Sequence, residues 1–210
     1  MSKACPIRYY FNAKLHVYES GYYFESYTQE IADLKDVKKS TFYKEYAWVV
    51  LSSGMNEKVV RILFEKITPL FNNWKNPALI IQNQRKIYNR ALAILNYPSK
   101  VSALIEMAYF LCKKSIAEIV NRMQNDGVTF LRQFKFLGPA TSFHLAKNLG
   151  VDLAKPDRHL TRIAHLFGYT CTNLFCQTIA AFTHEKKSVI DVVLWRYATL
   201  NKSYLNLNNA

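Results

Sequence analysis

Residues 128–164 read VTFLRQFKFLGPATSFHLAKNLGVDLAKPDRHLTRIA, and the organisation of the chain is decided there. Phe130, Leu131 and Phe134 recur at helical spacing and predict a helix over 128–134. It stops at the tight turn Phe136-Leu137-Gly138-Pro139, and a second helix, 140–149, starts at once. Pro139 stands near its first position, where a missing N–H costs nothing. Gly150 takes the C′ place that ends it. After a short loop, Asp157 precedes a further helix, 158–167, as its N-cap. A hairpin at a helix N-terminus turns backbone N–H groups outward and holds a phosphate without a cationic side chain. Lys135 and Lys147 lie nearby in sequence and add an attraction indifferent to base sequence.

The same periodicity marks helices over 41–53, 56–71, 84–95, 100–112, 115–124 and 188–199, nine in all with the three above. The predicted fold class is all-α, with short connections and no linker long enough to separate autonomous domains. The first 40 residues differ in texture: Tyr9, Tyr10, Phe11, Tyr18, Tyr22, Tyr23, Phe24 and Tyr27 crowd there, with one helix predicted over 26–38. Two readings stay open for these aromatics: packing on the outside of a helical lobe, the ordinary one, and a surface on which bases stack.

Of 210 residues, half are hydrophobic and 20% charged, the balance of a folded globular protein rather than a disordered tail. Twenty-eight Lys and Arg against fifteen Asp and Glu give a net charge of +13, which favours a polyanionic partner. Charge alone leaves DNA, an anionic membrane and simple solubility equally served. No apolar run reaches the ~18 residues that span a bilayer. Met1-Ser2-Lys3-Ala4-Cys5-Pro6 has no apolar core of a signal peptide, so a cytoplasmic protein is expected. Cys5, Cys112, Cys171 and Cys176 form no CxxC pair and read as reduced thiols.

A hairpin followed about nineteen residues on by an aspartate resembles the helix-hairpin-helix, Gly/Pro-rich-loop, Asp (HhH-GPD) superfamily of DNA base-excision glycosylases. Gly138, Thr141, Asp157, His159 and Arg162 match its pattern by position. Around the aspartate the likeness is to the endonuclease III branch, whereas Phe134-Lys135-Phe136-Leu137-Gly138 resembles the hairpin of the 3-methyladenine glycosylase I branch. Residues 48–56 are similar to the helix and turn from which family members send a plug residue into the DNA stack. Residues 191–198 are similar to the C-terminal helix that closes the other lobe.

The resemblance implies two helical lobes with the active-site cleft between them. One lobe is 1–44 with 158–210, the other 45–157, the latter holding the helix-hairpin-helix at 128–149. It implies a monomer acting on double-stranded DNA, away from membranes, that flips out a damaged or modified base and hydrolyses its N-glycosidic bond. Base-excision repair and defence against phage DNA with hypermodified bases, such as glucosylated hydroxymethylcytosine, are both open to it. A non-catalytic helix-hairpin-helix DNA-binding protein is the alternative.

Breaking the bond builds positive charge on the sugar, which a carboxylate in a dry site stabilises. The resemblance gives that role to Asp157. It puts Lys135, Leu137, Gly138, Ala140, Thr141, Lys147 and Arg158 on DNA, makes Tyr46, Trp48 and Ser52 candidates for the base pocket, and makes Met55 and Asn56 candidates for the plug. His159 reads as a structural partner of the loop.

Bifunctional relatives carry a Schiff-base lysine directly before the conserved threonine; Ala140 stands there, so no lyase activity is expected. Only Cys171 and Cys176 fall where the four-cysteine iron–sulfur motif would lie, so no such cluster is expected. Cys5 with His16, and Cys171, Cys176 and His184, match no zinc signature. No cofactor or metal site is therefore expected, and a monovalent cation at the hairpin is the one ion the resemblance admits.

Overall fold

The computed structural model describes residues 5–206, which form thirteen α-helices and, among the described residues, no strand. The expected all-α class is the one observed. In chain order the helices are α1 (Pro6–Glu19), α2 (Tyr23–Ile31), α3 (Lys39–Ser52), α4 (Glu57–Ile67), α5 (Pro77–Gln82), α6 (Gln84–Leu95) and α7 (Pro98–Lys113). There follow α8 (Ile116–Asp126), α9 (Val128–Leu131), α10 (Pro139–Asn148), α11 (Arg158–Leu166), α12 (Thr172–Thr183) and α13 (Lys187–Leu200). Each of the nine marked segments holds a helix, α6 to the residue. Three helices were not foreseen: α1, α5 and α12. The helix expected over 26–38 is α2, earlier and shorter, because the chain turns extended at Ala32 and Asp33 and Asp33 caps a 3-10 turn at Leu34–Asp36.

The chain folds as two compact units, a terminal one of Met1–Ala32 with Gly150–Ala210 and a central one of Asp33–Leu149. The junctions thus fall at 32/33 and 149/150, not at 44/45 and 157/158 as the resemblance implied. Residues 39–44 cannot part from 45–52 because they share one helix, α3. The loop before Asp157 is bonded into the terminal unit three times. Asp152 Oδ1 accepts the Ser188 N–H at 3.1 Å, Asn173 Oδ1 that of Ala154 at 3.3 Å, and Asp191 Oδ2 that of Lys155 at 2.7 Å.

In the terminal unit α13 is the inner helix, buried at every position from Ser188 to Ala198 except Trp195, with α1, α2, α11 and α12 packed on it. The apolar contribution comes from side chains such as Tyr9, Ala13, Leu160, Phe175 and Ile190. Buried Arg196 answers Glu25 of α2 through two hydrogen bonds of 2.8 and 2.6 Å, its guanidinium 4.4 Å from the Tyr22 ring centre. The aromatic N-terminus therefore divides: Tyr9 and Tyr10 are core, while Phe11, Tyr23, Phe24 and Tyr27 are exposed.

In the central unit α3 and α7 pack together, and the Tyr43 hydroxyl of α3 donates to Leu104 O of α7 at 2.7 Å. Trp74 stacks on Phe71 with ring centres 5.0 Å apart. Lys100 is only 1% exposed, and its ammonium donates to Leu51 O at 2.8 Å and Ser53 O at 2.7 Å, carbonyls that the end of α3 leaves without intrahelical donors. Burial holds its pKa below the ordinary lysine value. Lys100→Met keeps the aliphatic stem but strands both carbonyls. It should lower stability by about 1–3 kcal/mol, read as a lower urea midpoint at unchanged m.

Candidate functional site

In the central unit, α9 is one turn long, and the chain runs on from it through i→i+3 turns. Arg132 N–H donates to Thr129 O at 3.2 Å, Phe134 N–H to Leu131 O at 3.1 Å and Leu137 N–H to Phe134 O at 3.2 Å. Phe136 then takes the left-handed region at φ 66°, a conformation that costs a bulky L residue about 1–3 kcal/mol and persists only when held. The Thr141 hydroxyl holds it. It donates to Phe136 O at 2.7 Å and accepts the Gly138 N–H at 2.7 Å, so one side chain closes the turn from inside. Pro139 occupies the first turn of α10 as expected.

The expectation that the turn's amides point outward holds only in part. Those of Leu137 and Gly138 are spent within the hairpin, and an anion at α10 is left the amides of Ala140 and Thr141, which helix geometry gives no intrahelical acceptor. Gly138 is at φ −84°, and a Cβ there would meet only Thr141 Oγ1, at 4.0 Å, so internal packing does not demand the glycine.

Among the side chains placed on DNA, Lys135 is exposed and paired with Glu106 at 2.6 Å. Ala140 and Thr141 are half-buried. Leu137 and Lys147 depart from the expectation: both are buried, because the register of the turn aims Leu137 into the core and Lys147 follows on the inner face of α10 beside Leu145 and Ala146.

Tyr46 does not line an open pocket either. It is 2% exposed, its ring stands edge-on to Phe134 at 6.2 Å, and its hydroxyl donates to Lys135 O at 3.1 Å, buttressing the hairpin from α3. Trp48 is half-buried, edge-to-face with Phe64 at 5.3 Å and 5.7 Å from the Arg61 guanidinium. Ser52 Oγ donates to Trp48 O at 2.7 Å. Met55 is half-buried after Gly54, whose φ of 71° makes the turn out of α3. Asn56 is exposed, and its Oδ1 accepts the Lys58 N–H at 2.9 Å as the N-cap of α4, employment that competes with a role as plug.

Glu45 was not foreseen. It accepts a 2.8 Å hydrogen bond from Asn148 Nδ2 and so ties the last turn of α10 to α3, and burial raises its pKa above the ordinary carboxylate value. A lone acid between the core residues Tyr43 and Tyr46 was the available signal.

In the terminal unit, Asp157 is the N-cap of α11, as expected. Its Oδ1 accepts the N–H of His159 at 2.9 Å and of Leu160 at 3.0 Å. Oδ2 takes no part in the cap and lies 3.8 Å from Lys155 Nζ, in a side chain 13% exposed. His159 Nδ1 lies 3.1 Å from the Tyr204 hydroxyl, and Arg158 Nε donates to its Nε2 at 3.3 Å. Burial lowers the His159 pKa, which keeps the ring neutral near pH 7. Arg158 and Arg162 are exposed. The loop's fasteners Asp152, Asn173 and Asp191 escaped the sequence reading, although an aspartate inside the apolar run of α13 was there to be noticed.

Cys171 is exposed and Cys176 lies in the core. Among the described residues no three His, Cys, Asp or Glu side chains are grouped to hold a metal ion, and no helix is long and apolar enough to cross a membrane. The central unit holds eighteen Lys and Arg against eight Asp and Glu, hence +10, and the terminal unit ten against seven, hence +3. No family model, curated protein or solved structure matches the chain.

Thr141→Val deprives the Phe136 carbonyl and the Gly138 amide of their partner and should cost about 1–3 kcal/mol in chemical unfolding, while Thr141→Ser retains both bonds. Glu45 has a folded pKa raised above its unfolded value, so the folded state binds the extra proton and stability falls as pH rises through that window. Glu45→Gln keeps an acceptor for Asn148 and removes this dependence. Thermal unfolding from about pH 4 to pH 8 should show the variant gaining on the parent as pH rises.

Proposed function

We propose that this protein is a monofunctional DNA glycosylase, which hydrolyses the N-glycosidic bond of a damaged or modified base and leaves an abasic site. The observation that carries the reading is the division of labour within the Asp157 carboxylate. Oδ1 is bound by two backbone amides and fixes the group, while Oδ2 stands outside those bonds in a largely buried position. A carboxylate held this rigidly suits an oxocarbenium-like sugar, because its charge is in place before the reaction and needs no reorganisation.

The reaction begins with the base rotated out of the duplex. As the C1′–N bond breaks, its electron pair leaves with the base and C1′ becomes electron-poor. Asp157 Oδ2 stabilises that charge, and water adds to C1′ while losing a proton to the carboxylate. Lys155 counters the Asp157 charge at 3.8 Å, and Asp191 positions Lys155 by taking its backbone N–H. On the central unit, the Ala140 and Thr141 amides receive a phosphate, Lys135 and the other cations supply affinity, and Gly138 lets the backbone approach closely. Ala140 in place of a Schiff-base lysine supports hydrolysis without strand cleavage. The protein acts on duplex DNA as a cytoplasmic monomer without a cofactor, in repair or against hypermodified phage DNA.

Base release from a panel of alkylated, oxidised and phage-modified duplexes tests this. Asp157→Asn preserves a capping side chain, so it should still fold and bind DNA while releasing base at least ~100-fold more slowly. If parent and variant bind duplex alike and neither releases any base, the protein is a binding module. Borohydride reduction should trap no covalent protein–DNA adduct.

A further inference from the structure

We infer that α6 is a second contact surface for the phosphate backbone of nucleic acid, separate from the hairpin. From Lys66 to Ile105 the chain runs forty residues without an Asp or Glu, and six Lys and Arg fall within that stretch. Its centre is α6. Ile87, Ala91 and Leu95 bury one face of this helix, and on the other Arg85, Lys86, Asn89, Arg90 and Ala93 are exposed. At 100° per residue these five make one continuous face of about 140° that holds three cations and no acid.

Elsewhere in this unit, among the described residues, some cations such as Lys75 and Arg132 also meet no carboxylate, but others do. Arg61, Lys114, Arg122 and Lys135 each meet a carboxylate. Among the described residues Arg85, Lys86 and Arg90 meet none. Glu106, which borders the same shallow groove as Arg85, is engaged by Lys135. Lys86 and Arg90, one turn apart on this face, repel one another by a few tenths of a kcal/mol, a standing cost that a polyanion removes.

The chemistry of the face selects the occupant. A helix that lies on an anionic membrane inserts an apolar side beside its cations, but the apolar side of α6 is already spent in the core and its open face offers only Ala93. Two arginines and an amide suit phosphodiester oxygens, which the guanidinium fork grips in pairs. Arg85 and Arg90 are separated by about 7.5 Å along the axis, over which one strand of duplex presents about two phosphates. The contact reads no base, and it stands whether or not Asp157 is catalytic.

The test is fluorescence anisotropy of the full chain with a labelled mixed-sequence duplex across about 50 to 300 mM salt. Arg85→Ala/Lys86→Ala/Arg90→Ala should reduce the slope of log K against log salt by about 2 to 3. Lys35→Ala/Lys38→Ala/Lys44→Ala removes the same charge from exposed positions elsewhere in the central unit and should leave the slope unchanged. Equal loss in both variants would mean that net charge alone is felt, and the inference falls. It falls also if the parent prefers phosphatidylserine vesicles to duplex and the α6 variant loses that preference. Should the alanine variant melt early, Arg85→Gln/Lys86→Gln/Arg90→Gln replaces it and must show the same reduction of the slope. Loss of base release in Asp157→Asn with normal binding leaves α6 untouched, whereas an unchanged slope in the α6 variant overturns this inference and leaves the glycosylase reading standing.

Discussion

Asp191 and Arg196 lie on one helix that the terminal unit buries almost throughout, and neither charge can be left in that setting without an answer from another segment. Arg196 draws Glu25 and with it α2 onto the core. Asp191 draws the backbone N–H of Lys155, two residues before the proposed catalytic carboxylate. The position of Asp157 is therefore a by-product of satisfying a buried acid. Asp152 and Asn173 hold the preceding residues in the same manner, so a segment with no regular structure of its own is determined by three hydrogen bonds to two helices, α12 and α13. This is a sound basis for pre-organisation, because a loop held only by its own side chains would give under the load of a substrate.

How far the sequence could be read depended on whether the deciding physics was local. The run from Gln84 to Leu95 was legible end to end, since its apolar residues keep a strict helical beat and Asn96 closes it in the left-handed region. The start of α10 at Pro139 and the cap at Asp157 were legible for the same reason: both depend on neighbours within three residues. α1 was not, because aromatic residues occupy both its faces and the buried set Tyr9, Tyr10, Ala13, Val17 is hidden among exposed Phe11, Leu15 and Tyr18.

The candidate site divided along the same line. Asp157 and Thr141 are defined by cap and turn chemistry, and the structure puts them where that chemistry requires, whereas neither backbone nor packing requires the glycine at 138. Tyr46, a base-pocket candidate, and Leu137 and Lys147, expected on DNA, are buried, because facing is settled by what a helix packs against, and that information lies outside any short window. Lys147 shows it most plainly. Its charge suggested solvent, yet the inner face of α10 claims it. The functional weight of the central unit's charge passes instead to residues such as Arg85 and Arg90, which stand on a helix whose apolar side is fully committed.

The two junctions have a consequence in time. The central unit is one uninterrupted run, Asp33–Leu149, and can fold as soon as it has left the ribosome, whereas the terminal unit joins segments from both sides of it. Tyr9, Tyr10, Ala13 and Val17 must wait for α13 to cover them. With the 167 residues from 20 to 186 to be synthesised between α1 and α13, that wait is about 8 to 33 s at usual elongation rates. Until then the apolar residues of α1 have no α13 to pack on, and the proposed catalytic loop has no Asp191 to settle on. The carboxylate is thus among the last features of the molecule to be assembled, after the central unit with its basic surface is complete.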